Sequence, residues 1–216
     1  VNALSEWLEV EVRRDGKLYY QKYKRGKPVS DVQTKGSLPK GKEKETGTTV
    51  RFFADSEIFK EIEYKVDILK LRLKELAYLN AGLTLTLVHE KEKFTETYKF
   101  DGGLAQFVKD MTANKNPLHT KTISFSKEKG GFKVEGAFQY TETYVETIFS
   151  FANNINTHEG GTHLTGVRGA FTRVINDYAR KNDLLKEKDG PLEGDDTREG
   201  LYGIVHVLVP EPQFEG

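Results

Sequence analysis

Residues Asn153–Lys181 read NNINTHEGGTHLTGVRGAFTRVINDYARK, a polar, glycine-bearing turn that runs directly into an amphipathic segment. Within it Leu164, Val167, Phe171, Val174, Ile175 and Tyr178 recur at three- and four-residue spacing, which predicts a helix with one apolar stripe that packs on a sheet. Ahead of the stripe, Glu159-Gly160-Gly161-Thr162 offers backbone freedom and a hydroxyl able to accept from an early helical N–H, so a tight, capped entry is expected. Periodicity speaks only of burial; on that ground alone this is a core helix.

Working outward, Thr120–Ser126 and Phe132–Tyr140 read as a hairpin around Lys129-Gly130-Gly131, and Val145–Phe151 as a third strand before the helix. Leu201–Val209 is a final aliphatic strand closed by Pro210 and Pro212. That order predicts a mixed sheet with a helix on one face, in the α+β manner. Asp101-Gly102-Gly103 is the best boundary, because it closes a strand and opens a short helix carrying Leu104, Phe107, Val108 and Met111.

Upstream, Val1–Leu4 reads as a helix tail, and Trp7–Arg14 and Lys17–Lys24 as a hairpin about Asp15-Gly16. Val29–Val32 is expected to be extended and Lys35–Lys44 a solvated loop. Thr48–Ala54, β-branched and aromatic, predicts a buried strand. Asp67 opens a helix whose Leu69, Leu73, Leu76 and Leu79 form one face, broadened by Ile68 and Leu71 and ended by Asn80-Ala81-Gly82. Leu83–His89 and Phe94–Phe100 form a further hairpin.

Composition bounds the function. Thirty-three basic residues balance thirty-three acidic ones, so the total charge lacks the basic footprint of an autonomous DNA-binding domain. The absence of cysteine excludes disulfides, thiolate nucleophiles and cysteine-based zinc sites. No long apolar run spans a bilayer, VNALSEWLEV is not a secretory signal, and a cytoplasmic location is expected. The lack of an initiator methionine suggests a piece of a larger protein.

The wording of several segments is more specific than their periodicity. NNINTHEGGTHL, FTRVINDYARKN, GDDTREGL and PEPQFEG, with VNALS and ETGTTVRF upstream, closely resemble the DNA gyrase B family; the corresponding chain of topoisomerase IV shares these motifs. The resemblance implies an α+β chain: residues 1–100 as the C-terminal part of a GHKL (Bergerat-type) ATPase sandwich, and residues 101–216 as a ribosomal-protein-S5-like transducer domain. It further implies a part of the ATP-dependent N-terminal gate of a type II topoisomerase, coupling ATP binding and hydrolysis to strand passage and negative supercoiling. Its partners would be gyrase A, DNA, a second gyrase B chain and the missing upstream half of the ATPase domain.

Residue by residue, the resemblance gives nucleotide-binding roles to Gly47 and Thr48 in the Thr46-Gly47-Thr48 turn, to Val50 as an apolar lining residue, and to Arg14 at the pocket mouth. Glycine lets backbone approach a ligand, and a threonine hydroxyl can donate to and accept from an adenine edge. Taken alone, a TGT turn is an ordinary strand entry and an arginine at a hairpin an ordinary solvated charge. The family's magnesium-binding asparagine, water-activating glutamate and glycine-rich phosphate lid match nothing in this sequence, nor does it hold a Walker loop or GxGxxG. ATP and Mg2+ are therefore expected in the parent protein, with no catalytic residue here and no ATP hydrolysis by this chain alone.

Other constellations carry less. His158, Glu159 and His163 surround a Gly-Gly turn but fall short of a metal site, and Asp195, Asp196 and Glu199 suit the capping of a turn into the last strand. Arg168, Arg173, Arg180 and Lys181 leave the apolar stripe, as a solvated face does, and could also touch DNA phosphates. The alternative to the topoisomerase reading is a stand-alone, non-catalytic α+β interaction module.

Overall fold

The computed structural model describes residues 1–186 and 188–214. Packing divides the chain into Val1–Lys65 and Val66–Gly216. In the first unit a 3-10 turn, Asn2–Leu4, leads into β1 (Ser5–Arg14), which pairs antiparallel with β2 (Lys17–Lys24) on one side and β5 (Gly47–Ala54) on the other. The hairpin turns on Asp15 and Gly16, both with φ > 0 (51° and 71°), the two-residue geometry that matches strand twist. Two short strands, β3 (Lys27–Pro28) and β4 (Gln33–Ser37), pair with β2. They replace the extended Val29–Val32 that was expected; Val29 and Val32 lie exposed between them, and β4 takes the first part of the expected loop.

The sheet's two faces differ as alternation demands. On one, Glu9 pairs with Lys22 (3.0 Å), Glu11 with Arg51 (3.2 Å), and Trp7 stacks on Phe53. The Lys22 ammonium bonded to Glu9 holds that carboxyl below its ordinary range. On the other lie Leu8, Val10 and Val12, opposite Phe52, Val50 and Thr48. The expectation that this last strand is buried is corrected: Val50 is 51% and Phe52 42% exposed. β5 is the edge of its sheet, so it gains cover from one neighbour only.

The second unit opens with α1 (Val66–Leu79) and a hairpin of β6 (Thr84–His89) and β7 (Phe94–Lys99). The expected leucine face of α1 is realised only at its end: Ala77, Tyr78 and Leu79 are buried, while Ile68 and Leu71 face water. That end meets α2 (Gly103–Thr112). Tyr78 stacks between Phe100 and Phe107 with centroids at 3.6 and 4.4 Å and donates its hydroxyl to Asp110; burial and that carboxylate raise the phenol pKa. Residues 66–100 thus pack with the downstream part of the chain, so the packing boundary lies well ahead of Asp101.

The main sheet comprises β8 (Ile123–Lys129), β9 (Phe132–Tyr140), β10 (Thr147–Ala152), β11 (Ile155–Asn156) and β12 (Leu201–Leu208), in the order β11-β10-β12-β9-β8. β10 and β12 run parallel and the other pairs antiparallel, the mixed sheet expected. Its helices lie on both faces rather than one. α2 and the end of α1 cover Ala137, Phe151 and Ile204, while α3 (Thr162–Lys181) covers Phe138, Leu201 and Val205. α4 (Gly194–Arg198) precedes β12.

Two details of α3 depart from its sequence. Gly161, at φ 142°, is the N-cap, and Thr162 makes no capping bond, because the helix starts one residue earlier than a Thr cap requires. The inward line runs Leu164, Val167, Phe171, Ile175, Ala179, of which Leu164 and Ala179 are buried and the others half-buried; Val174 and Tyr178 stand 64% and 62% exposed on the outer side. Among the described residues no helix is long and apolar enough to cross a membrane.

Candidate functional site

Register decides which of the expected binding residues meet. Val12 faces Thr48 and Val10 faces Val50 across β1 and β5, and paired residues in a ladder share a side. Arg14, two residues past Val12, emerges on that same face. The structure therefore brings Arg14, Thr48 and Val50 to one surface with a floor of Val10 and Val12. Gly47 lies opposite Arg13, and a Cβ there would stand 2.9 Å from the Arg13 guanidinium.

Chemically this surface offers a flat apolar strip, a hydroxyl at Thr48 that can donate and accept, and a cation at its edge. Among the described residues Arg14 is paired with Asp15 (3.4 Å), and it is largely exposed, free to turn toward an anion. Opposite the stretch Leu8 to Arg14, β2 contributes Lys17, Tyr19, Gln21 and Tyr23.

At the other end of β5 the same face opens into a cavity of about 300 Å³, lined by Val1, Leu4, Phe52, Phe59, Ile62 and Tyr64 among others. Beside it Asp55 is buried; its carboxylate accepts from the Glu57 backbone (3.0 Å) and pairs with Arg25 (2.8 Å), which also reaches Glu57. Those carboxylates keep the Arg25 guanidinium pKa above its ordinary value, Glu57 foremost. Sequence reading missed this cavity, although Phe59, Ile62 and Tyr64 are apolar residues in a segment with no strand or helix to explain them.

In the second unit the suspected ligands and caps take structural posts. His163 Nε2 lies 3.1 Å from the Thr157 hydroxyl, and burial pushes its pKa down; His158 and Glu159 are exposed. No group of three or more metal-ligating side chains occurs among the described residues. Asp196 accepts from the Glu193 backbone (2.8 Å) in a capping box, and Asp195 pairs with Arg198. Glu146 holds two arginines, Arg168 (2.7 Å) and Arg198 (3.1 Å), tying α3 to α4. Arg173 and Arg180 are exposed on α3.

Comparison with known proteins bears on all of this. A family model described as DNA gyrase B matches residues 103–216. The whole chain aligns at 48% identity with the B chain of DNA gyrase from Bacillus mycoides, spanning 53% of it. It aligns at 50% with the one from Archaeoglobus fulgidus, spanning 33%. The chain thus covers about a third to a half of the curated relatives it matches. Among solved structures, the 43K ATPase domain of Thermus thermophilus gyrase B, in complex with an aminocoumarin, superimposes with a TM-score of 0.85 at 40% identity, over 99% of this chain and 58% of that one. A topoisomerase IV ATP-binding domain from Francisella tularensis, with a small-molecule inhibitor, gives 0.82 at 27%, over 100% and 57%. These likenesses show the α+β fold of a gyrase B ATPase domain.

Proposed function

Because this chain belongs to the DNA gyrase B family, we propose that its residues form part of the ATP-dependent N-terminal gate of a type II topoisomerase that introduces negative supercoils. Arg14, Thr48 and Val50, with the Gly47 backbone, form one wall of the nucleotide site: Val50 with Val10 and Val12 supports the flat base, Thr48 exchanges a hydrogen bond with it, and Arg14 guards the mouth. The observation that carries this reading is the register that puts these three side chains on one half-exposed apolar face.

The opposite wall, the groups that hold Mg2+ and the base that activates water come from a preceding segment of the intact protein; the chain spans about a third to a half of its curated relatives. Residues 101–216 act as the transducer and residues 1–100 as the ATPase part. Binding of ATP closes the gate of two gyrase B chains around a DNA segment, and differential contact with the terminal phosphate biases the two arrangements. Gyrase A, DNA, a second gyrase B chain and a cytoplasmic setting complete the proposal. The exposed Val50 and Phe52, and the cavity beside Phe59, supply apolar surface for that preceding segment to cover.

The test joins the full-length gene product to gyrase A with relaxed plasmid and ATP. Supercoiling, weakened by Thr48→Val, is expected. ATP-dependent decatenation without supercoiling would move the assignment to topoisomerase IV, and no ATP-dependent change of topology would overturn the reading.

A further inference from the structure

Asn153 and Asn154 close β10, and both adopt positive φ (46° and 67°), a conformation asparagine tolerates better than most residues. Their polar groups point two ways. Toward β12, the Asn153 side chain imitates a strand: its Oδ1 accepts from the Val209 N–H (2.8 Å), its Nδ2 donates to the Val209 carbonyl (2.8 Å), and its backbone N–H donates to Val207 (2.9 Å). Toward α1, the Asn154 carbonyl accepts from the Arg72 guanidinium and its Oδ1 accepts from Asn80 Nδ2 (3.2 Å). Asn80 also closes the helix by donating to the Leu76 carbonyl (2.8 Å).

We propose that the Asn153-Asn154 turn is a joint that couples helix α1 to the exit of β12, with Arg72, Asn80 and Asn153 as positioning residues for the gate's conformational step. The inference rests on the function proposed above for its purpose, but not for its mechanics. Val209 is the first residue beyond β12 and leads to Pro210. The strand's course up to Leu208 is set by its ladder with β9. Beyond that, the described backbone bonds of Val209 both go to the Asn153 side chain, which therefore helps to fix the direction in which the chain leaves the sheet.

The other half of the joint answers to α1. Arg72 lies in the middle of a helix whose last turn is buried against α2 and whose middle touches the β6–β7 hairpin through Lys70, which bonds Glu96 (3.0 Å). A rigid helix transmits a tilt along its length, and two hydrogen bonds to Asn154 pass that tilt to the adjacent residue that holds Val209. Coupling of this kind needs an element that both ends bias, and this turn is held from two sides, by Arg72 and Asn80 on one and by Val209 on the other.

The experiment compares wild type, Arg72→Ala and Asn153→Gly. Glycine retains the positive φ of Asn153 and deletes only the side chain, which separates the bond from the backbone conformation. In the full-length protein, amide hydrogen exchange at Val209 is expected to quicken by about fivefold or more in Asn153→Gly and also in Arg72→Ala, whose side chain does not touch Val209, with Val205 in the same strand unchanged. Exchange at Val209 that ignores Arg72→Ala overturns the joint.

In the holoenzyme of full-length protein and gyrase A, each variant is expected to lower supercoiling per ATP hydrolysed by about fivefold, with no further loss in the double variant, since both act through one turn. Equal losses of ATP turnover and supercoiling, or losses that simply add, would overturn the positioning role. A wild-type holoenzyme with no ATP turnover, alongside the exchange effect, would remove the topoisomerase reading and leave the joint standing.

Discussion

Phe138 is the pin that seats α3 on the main sheet, and its neighbours make that claim quantitative. Its ring is buried, meets Phe171 of α3 edge-on with centroids 4.7 Å apart, and lies over two glycines. A Cβ at Gly203, its partner across the ladder, would collide with the ring's Cδ1, and one at Gly136 would stand 2.8 Å from its Cε2. Gly203→Ala therefore forces the ring off its rotamer or the strands apart, at about 1–3 kcal/mol. Phe138→Ala empties the site at about 3–5 kcal/mol. With the ring gone, the alanine methyl at 203 occupies vacated space, so the double variant is expected to lose at least about 1 kcal/mol less than the sum. Urea unfolding followed by helical circular dichroism is the assay, because α1, α2, α3 and α4 all belong to the second unit. Losses that add within about 0.5 kcal/mol would refute the packing argument.

Three further outcomes follow from the same geometry. His206 is buried in β12 with neither ring nitrogen hydrogen-bonded among the described residues, Glu135 at 3.7 Å and Lys133 beyond it; burial, aided by Lys133 and opposed by Glu135, pushes its pKa down. The unfolded chain then takes up the proton first, so stability should fall as pH drops below about 6.5 and level off once the folded form is protonated as well. His206→Phe should flatten that slope in urea midpoints, leaving the part due to His163; an unchanged slope would assign it elsewhere. Glu146→Ala should cost about 1.5–3 kcal/mol, since the largely buried Arg198 loses its main carboxylate, and an effect under about 0.5 kcal/mol by denaturant titration would show that Asp195 and Thr172 suffice. Gly47→Ala should leave stability within about 1 kcal/mol, because only the mobile end of Arg13 must give way; a larger loss would mean the backbone at Gly47 is constrained by more than its own strand.

Much of the fold was legible because local chemistry and global packing agreed. Asp15-Gly16 forces a two-residue hairpin, and Gly82, with φ 84°, turns the chain just past α1 in the Asn80–Leu83 turn, closed by the Leu83 N–H on the Asn80 carbonyl. The departures share one cause: periodicity reports apolar residues, not what lies over them. Val174 and Tyr178 satisfy a helical stripe as well as Val167 and Phe171 do, yet Leu164, Val167 and Phe171 pack on the sheet's core while Val174 and Tyr178 are exposed. Ile68 and Leu71 continue the leucine pattern of α1 but face water, because α2 meets only the last turn of that helix. The second helix-bearing face of the sheet was hidden for a related reason: α2 precedes every strand it covers, so the order of elements does not place it.

For the candidate site, no physical signal in Thr46-Gly47-Thr48 distinguishes a ligand turn from a strand entry; resemblance alone pointed there. Once the register is known, alternation alone puts Arg14, Thr48 and Val50 on one face, although Arg14 and Thr48 stand far apart in sequence. The cavity beside Phe59 and Tyr64 was not legible, since no periodicity marks a segment that is neither helix nor strand.

The most direct test of the central claim is a calorimetric titration of a non-hydrolysable ATP analogue, with magnesium, into the full-length protein and its Thr48→Val form. Removing the hydroxyl while keeping the shape should weaken binding about tenfold, near 1.4 kcal/mol, with the melting temperature unchanged. Equal affinity in the two proteins would contradict the account, because the face that carries Thr48, Val50 and Arg14 would then not be a wall of the nucleotide site.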